Sequence, residues 1–176
     1  MIRVPHNLLE MIRPCNASDL GTIHEVINDA AKAYRGVIPE DSLRDPYMSK
    51  TELLREIREG VLFWGDEQGG KINGVMGLQE KDDVTLIRHA YVRSRFQKRG
   101  VGTNLLRHLE RVAQSPILVG TWADAAWAIL FYEKHGYKLV SEKKRDILLR
   151  TYWSINDLQV QSSVVLAQNT WTEVNV

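Results

Sequence analysis

The chain has 176 residues, 44 % of them apolar and 26 % charged, with a net charge of +1. That composition belongs to a folded globular domain and excludes a protein held to nucleic acid or anionic lipid by its overall charge. A single cysteine, Cys15, excludes an internal disulfide and a multi-cysteine metal site, and no apolar run approaches the ~20 residues of a membrane helix, so a cytoplasmic protein is expected.

Residues 1–10, "MIRVPHNLLE", lack an apolar core of signal-peptide length and read as an N-terminal extension. One domain is expected over 11–176. "MIRPC" reads as a short strand that Pro14 keeps at a sheet edge or end. Asn16 or Ser18 offers a helix cap, and Ile23, Val26, Ile27, Ala30 and Ala31 share one face of a helix over 18–34. "YRGVIPEDSLRDPYM" is broken by Gly36, Pro39 and Pro46 and reads as a loop with at most a helical turn. "SKTELLREIREG" is a short amphipathic helix, capped by Ser49 or Thr51 and ended by Gly60. "VLFWG" (61–65) and "INGVMGLQ" (72–79) are strands joined by the glycines of "DEQGGK", and "VTLIRHAYV" (84–92) is a third.

A helix over 101–114 follows, with Val101, Leu105, Leu109 and Val112 on one side. "PILVGT" (116–121) is a fully apolar run, as expected of a strand buried on both faces. "ADAAWAILFYEKHG" is a helix ended by Gly136, and "YKLV" a strand. "SEKKRDILLRTYWSI" is ambiguous, with a helix over the site as one reading, and "QSSVVLAQ" (161–168) is the last strand. A β-meander followed by β-α-β-α-β-(α)-β predicts a mixed α/β sheet with helices on both faces.

The chemistry concentrates where the third long strand hands over to its helix, at Gln97-Lys98-Arg99-Gly100-Val101-Gly102-Thr103. The first turn of a helix has unpaired N–H groups and partial positive charge, and glycines let a phosphate reach them. Lys98 and Arg99 add full charges. A glycine turn with a solvated basic rim would look the same. A P-loop is excluded because its four-residue spacing and Gly-Lys-Ser/Thr are absent. A dinucleotide fingerprint would need a third glycine where Leu105 stands, although Asp124 falls where a ribose-binding acid could sit.

The segment "AYVRSRFQKRGVGTNLLRHLE" resembles the coenzyme-A-binding motif of the GNAT acyltransferase superfamily, Arg/Gln-x-x-Gly-x-Gly/Ala after an apolar strand. "AWAILFYEKHGYKLV" resembles that family's second signature, through Ala128, Tyr132, Gly136 and Tyr137, and "IRPCNASDLGTI" its opening strand and helix. The resemblance spans roughly residues 11–168. It implies a mixed, mostly antiparallel central sheet splayed in the middle, and an acetyl-CoA-dependent N-acetyltransferase. In such an enzyme the acetyl group passes directly to an amine of a small molecule or peptide within a ternary complex. Acetyl-CoA would be the co-substrate, its pyrophosphate cradled from Gln97, Lys98 and Arg99 through Gly100, Val101 and Gly102 to Thr103. A bulged strand would splay from "ILVGT" to admit the pantetheine arm. A backbone N–H at Tyr91 or Val92 would polarise the thioester carbonyl.

By the same resemblance Tyr132 donates a proton to the coenzyme sulfur, although it could equally be a core aromatic. The base is open. Leu86 stands where many family members carry a glutamate; His89 and Glu80 are the candidates, and a water or an amine that arrives deprotonated is as tenable. Ala125 replaces an asparagine frequent in the family, which removes one pantetheine contact. Trp122 could wall a substrate pocket, and Tyr34, Glu40, Asp41 and Tyr47 could meet the acceptor. His24, His108 and His135 receive no role, and no His–carboxylate spacing suggests a metal. Two rival functions stay in view: a GNAT-fold sensor that binds acyl-CoA without catalysis, and a nucleic-acid module using "RSRFQKR" with Phe96 to stack. The near-neutral charge disfavours the second, so no nucleic acid and no membrane partner is expected. Open sheet edges leave a homodimer open.

Overall fold

The computed structural model describes residues 11–172, so the expected extension at 1–10 lies outside the described residues. Seven strands form one sheet in the order β1-β2-β3-β4-β5-β7-β6. They are β1 Met11–Pro14, β2 Leu62–Gln68, β3 Lys71–Glu80, β4 Thr85–Val92, β5 Ile117–Trp122, β6 Tyr137–Leu139 and β7 Ser163–Gln168. Every neighbouring pair is antiparallel except β4 and β5, which are parallel. The mixed, mostly antiparallel sheet expected from the sequence is therefore present.

Helices cover both faces. On one, α3 (Val101–Val112) and α4 (Ala126–Lys134) close over Met76, Leu78, Ile87, Ile117, Val119 and Leu166. On the other, α1 (Leu20–Ala30) and α2 (Lys50–Arg58) pack on Phe63, Ile72 and Val75. Beside them α5 (Glu142–Tyr152) and α6 (Asp157–Gln161) pack on Leu86, Leu118 and Val165. Adjacent residues Leu86 and Ile87 enter opposite cores, because strand side chains alternate; a central strand buried on both faces must be apolar at both parities. The ambiguous segment after 141 is thus a helix, capped by the Ser141 hydroxyl. It buries Leu148 and Leu149 against β7 and contributes nothing to the cavity described below.

The first helix differs from its expected extent. The Asn16 side chain caps a 3-10 turn, α1 proper spans Leu20–Ala30, and residues Ala31–Tyr34 tighten again to 3-10. Such tightening at a helix end is common; here it delivers Tyr34 into an aromatic cluster. The following loop is pinned by Asn28, whose side chain donates to Met48 O at 3.0 Å and accepts from Met48 N at 3.0 Å.

Two irregularities shape the middle of the sheet. β4 and β5 pair only from Thr85↔Ile117 to Ile87↔Val119, after which they separate. In β4 the register on β3 moves from Val75↔Tyr91 to Gly77↔Arg88, two steps on one strand against three on the other. The extra residue is a β-bulge, and within it His89 adopts φ +52°. Gly77 sits opposite: a Cβ there would lie 2.8 Å from Arg88 O and 2.7 Å from a Val61 methyl, so the bulge needs glycine across from it.

Candidate active site

The gap between β4 and β5 opens into a cavity of about 690 Å³, within the roughly 300–1,000 Å³ of small-molecule sites. At one end, Gly100 turns the chain in a left-handed conformation at φ +88° and starts α3 with no capping side chain. The amides of the first turn are therefore left for a ligand. Gln97, Lys98, Gly100, Gly102 and Thr103 all line this end. Arg99 and Val101 do not: the Arg99 guanidinium sits 5.6 Å over the Phe96 ring, and the Val101 side chain is buried under α3. Each can offer only its backbone or, for Arg99, a charge at the rim.

Lys134 and His135, at the end of α4, complete this corner. His135 Nδ1 lies 2.7 Å from Phe131 O and its Nε2 3.1 Å from the Thr103 hydroxyl. With Nδ1–H donating to the carbonyl, Nε2 accepts from Thr103, and the imidazole ties α4 to the first turn of α3. His135 receives no role from sequence reasoning because nothing in its spacing shows that two helix ends meet.

In the middle of the cavity, Tyr132 projects from α4 with 4 % of its surface exposed. Burial pushes its phenol above the ordinary range, so it is a protonated donor at neutral pH. Ala90, Tyr91 and Val92, just past the bulge, line the opposite wall, with Val119, Gly120 and Thr121 of β5 beside the gap. Extended backbone without a strand partner can pair with an extended amide-bearing ligand as a strand would. Ala125, by contrast, is fully buried, and no side chain caps α4.

The two candidate bases separate clearly. His89 lines the cavity from the bulge, beside Ile87 and Tyr91. Leu86 is buried in the core under α5, on the face away from α3, and takes no part. Glu80 lies at the far end of the β3–β4 pair, accepting from the Thr85 hydroxyl and from Gln114 N at 3.1 Å. It braces the start of β5 and does not line the cavity, so the expectation that it serves the site is corrected: a strand-end carboxylate looked available only because its local partners are distant in sequence.

The other end of the cavity is aromatic. Tyr34 stacks on Trp127 at 5.9 Å, and both line the opening, where Trp127 is 46 % exposed. Behind them the rings of Tyr34, Tyr47 and Tyr91 pack at 5.3, 6.3 and 6.4 Å between centroids, and Trp122 Nε1 donates to Tyr47 OH at 3.0 Å. Trp122 is therefore a strut behind the wall, and Trp127 is the wall. Glu40 and Asp41 are exposed on the loop and do not reach the cavity. Among the described residues no group of three His, Cys, Asp or Glu side chains could hold a metal ion, and no helix is long and apolar enough to cross a membrane.

The fold matches solved structures over most of its length. The PaiA N-acetyltransferase of Thermoplasma acidophilum, in complex with coenzyme A, superposes with a TM-score of 0.69 at 20 % identity, covering 90 % of this chain and 97 % of that one. The ribosomal-protein-S18-alanine N-acetyltransferase of Escherichia coli gives 0.65 at 18 % identity over 96 % and 99 %. A GNAT family acetyltransferase of Elizabethkingia anophelis with acetyl-CoA bound gives 0.57 at 20 % identity over 90 % and 96 %. No curated protein sequence matches the chain. The sequence profile of the acetyltransferase (GNAT) family matches residues 23–137, which run from α1 through the glycine turn to the tyrosine helix. The splayed β4–β5 pair, the uncapped glycine turn and the buried tyrosine all fall within that span, and the chain belongs to the acetyltransferase (GNAT) family, with acetyl-CoA as its co-substrate.

Proposed function

We propose that the protein is an N-acetyltransferase that moves an acetyl group directly to the amine of a small molecule or peptide, with His89 as base and Tyr132 as acid. One observation carries this reading: His89 and Tyr132 reach the same cavity, from the bulge in β4 and from α4, where β4 and β5 part. Acetyl-CoA supplies an activated acyl carbon on a thiol leaving group. The amides of the α3 first turn, Lys98 and Lys134 bind its diphosphate, and the edge of Ala90 to Val92 that faces away from β3, past the last β4–β5 pair, takes its pantetheine arm. A backbone N–H at Tyr91 or Val92 points its dipole at the thioester oxygen, where negative charge grows in the transition state.

The proton transfers follow from the placement. His89 accepts the proton that the acceptor ammonium must lose before its lone pair can attack. The new C–N bond forms as the C–S bond breaks, and the electron pair of that bond leaves on sulfur. Tyr132 gives sulfur its proton and regains one from solvent, to which His89 returns the proton taken from the amine. Amine and thioester become amide and thiol, with no acyl-enzyme. Tyr34 and Trp127 form the acceptor's entrance.

The test is a panel of amines assayed for coenzyme A release with the parent and with Tyr132→Phe and His89→Gln. An amine turned over by the parent should lose about 10²–10⁴-fold in kcat with either variant, while coenzyme A still binds both. Coenzyme binding with no release for any amine in the parent would favour a sensor instead.

A further inference from the structure

Glu56 is the one charged residue of α2 that the fold buries, at 7 % exposure, and its carboxylate points to the back of the bulge in β4. Its Oε2 lies 2.6 Å from Arg88 Nη2 and 3.2 Å from His89 Nε2. In a regular strand, adjacent side chains point to opposite faces and could not share one oxygen. The bulge turns Arg88 and His89 to the same side, and that is where the carboxylate stands. The imidazole is also clamped by Phe63, whose ring stacks on it at 6.0 Å and 23°. Arg88 does not need the whole of Glu56, because its other arm, Nη1, donates to Gln79 Oε1 at 2.9 Å, and Gln79 Nε2 donates in turn to Glu59 O.

We infer that Glu56 is a positioning residue for the base: the buried His89 Nε2 has no hydrogen-bond partner in the resting geometry, and its N–H turns onto the Glu56 carboxylate 3.2 Å away, which fixes that tautomer and leaves Nδ1 to take the acceptor's proton. This rests on the reading of His89 as the base. A carboxylate behind an imidazole orients the ring, selects the tautomer and stabilises the imidazolium that forms when a proton is taken. Glu56 is the charge against His89, Arg88 from its own strand shares that carboxylate, and Arg55 and Glu59 of α2 act on the Glu56–Arg88 pair. Arg88 opposes the imidazolium and Glu56 favours it, so removing Glu56 leaves His89 facing an unbalanced guanidinium. Burial by itself would raise the Glu56 carboxyl, but His89 and the Arg88 and Arg55 charges outweigh it and hold the group below the ordinary range, so it is an anion wherever the enzyme would work.

The test needs no acceptor. Protein labelled with ¹⁵N-histidine gives the tautomer of each neutral imidazole, and His89→Gln assigns the His89 signals. In the parent, His89 should be the Nε2–H tautomer. In Glu56→Gln the ratio of Nε2–H to Nδ1–H should fall about fivefold or more, as expected when a charged acceptor becomes neutral. An Nδ1–H tautomer in the parent overturns the inference without any variant, so a poorly folded Glu56→Gln does not shield it. A ratio unmoved in a folded Glu56→Gln overturns it as well, and leaves Glu56 as a counterion for Arg88 alone. Failure of the base itself would look different: His89→Gln would keep its rate of coenzyme A release with an amine the parent uses, whatever the spectra show.

Discussion

Replacing Gly102 by Asp tests the diphosphate corner without disturbing the fold. Gly102 is the second residue of α3, after the Gly100 cap, and a Cβ built there meets only the Phe131 ring at 3.5 Å and a Val92 methyl at 3.7 Å. Those are ordinary contacts, so the side chain fits. A carboxylate in the first turn also suits the helix dipole, and leaving glycine gains helix propensity, so stability should hold or rise. Binding should not survive so well. A carboxylate about 5 Å from a phosphate oxygen repels it by roughly 3 kcal/mol at an effective dielectric of 20 and by about 1 kcal/mol in bulk water. The Kd for coenzyme A should therefore rise by roughly 5- to 250-fold. Calorimetric titration with coenzyme A reads the affinity, and the melting temperature without ligand reads the fold. Gly102→Ala separates bulk from charge and should lose much less. A Gly102→Asp protein that melts like the parent and binds coenzyme A with the parent's affinity would refute the placement of the phosphates at this helix start.

The remaining predictions concern the bulge and the buried carboxylates. Gly77→Ala should cost about 1–3 kcal/mol, read by urea unfolding, because its methyl meets the Arg88 carbonyl and the Val61 side chain, and backbone cannot swing away as a flexible side chain can; an unchanged midpoint would show that the bulge tolerates a Cβ. Asp19 is held low by the hydrogen bonds from Arg13, at 2.8 and 2.9 Å, and Asp29 chiefly by the Ser94 amide at 2.7 Å. Both have folded pKa values below their unfolded ones, so the stability they supply is complete above the ordinary carboxylate range and drains away as pH falls through the folded values. Melting temperatures of the parent and of Asp19→Asn should differ at neutral pH and converge in acid; a constant gap would mean that the Arg13 pair does not carry the acid dependence.

How far the site could be read in advance follows from where its information lies along the chain. The glycine turn and the tyrosine helix are contiguous segments, so their residues declare their places by local spacing. The surroundings of His89 are different. On α2, Leu53, Glu56 and Ile57 fall on one helical stripe, and Glu56 is the single charge on it. That misplaced charge was a legible signal, but it names no partner. Glu80 illustrates the reverse case. It looks free in sequence, and its partners Thr85 and Gln114 meet it only because β5 starts beside β4.

Strand and helix order, the glycine turn that opens α3 and the tyrosine's place on α4 were legible in the sequence itself, because each depends on periodicity or on residues within a few positions of one another. Only the folded chain decided which of His89 and Glu80 faces the cavity, that Trp127 and not Trp122 forms its wall, and that Glu56 backs the imidazole. The physical reason is the bulge opposite Gly77: one extra residue in β4 reverses which way every later side chain points, and pairing register is a property of two strands that neither segment encodes alone.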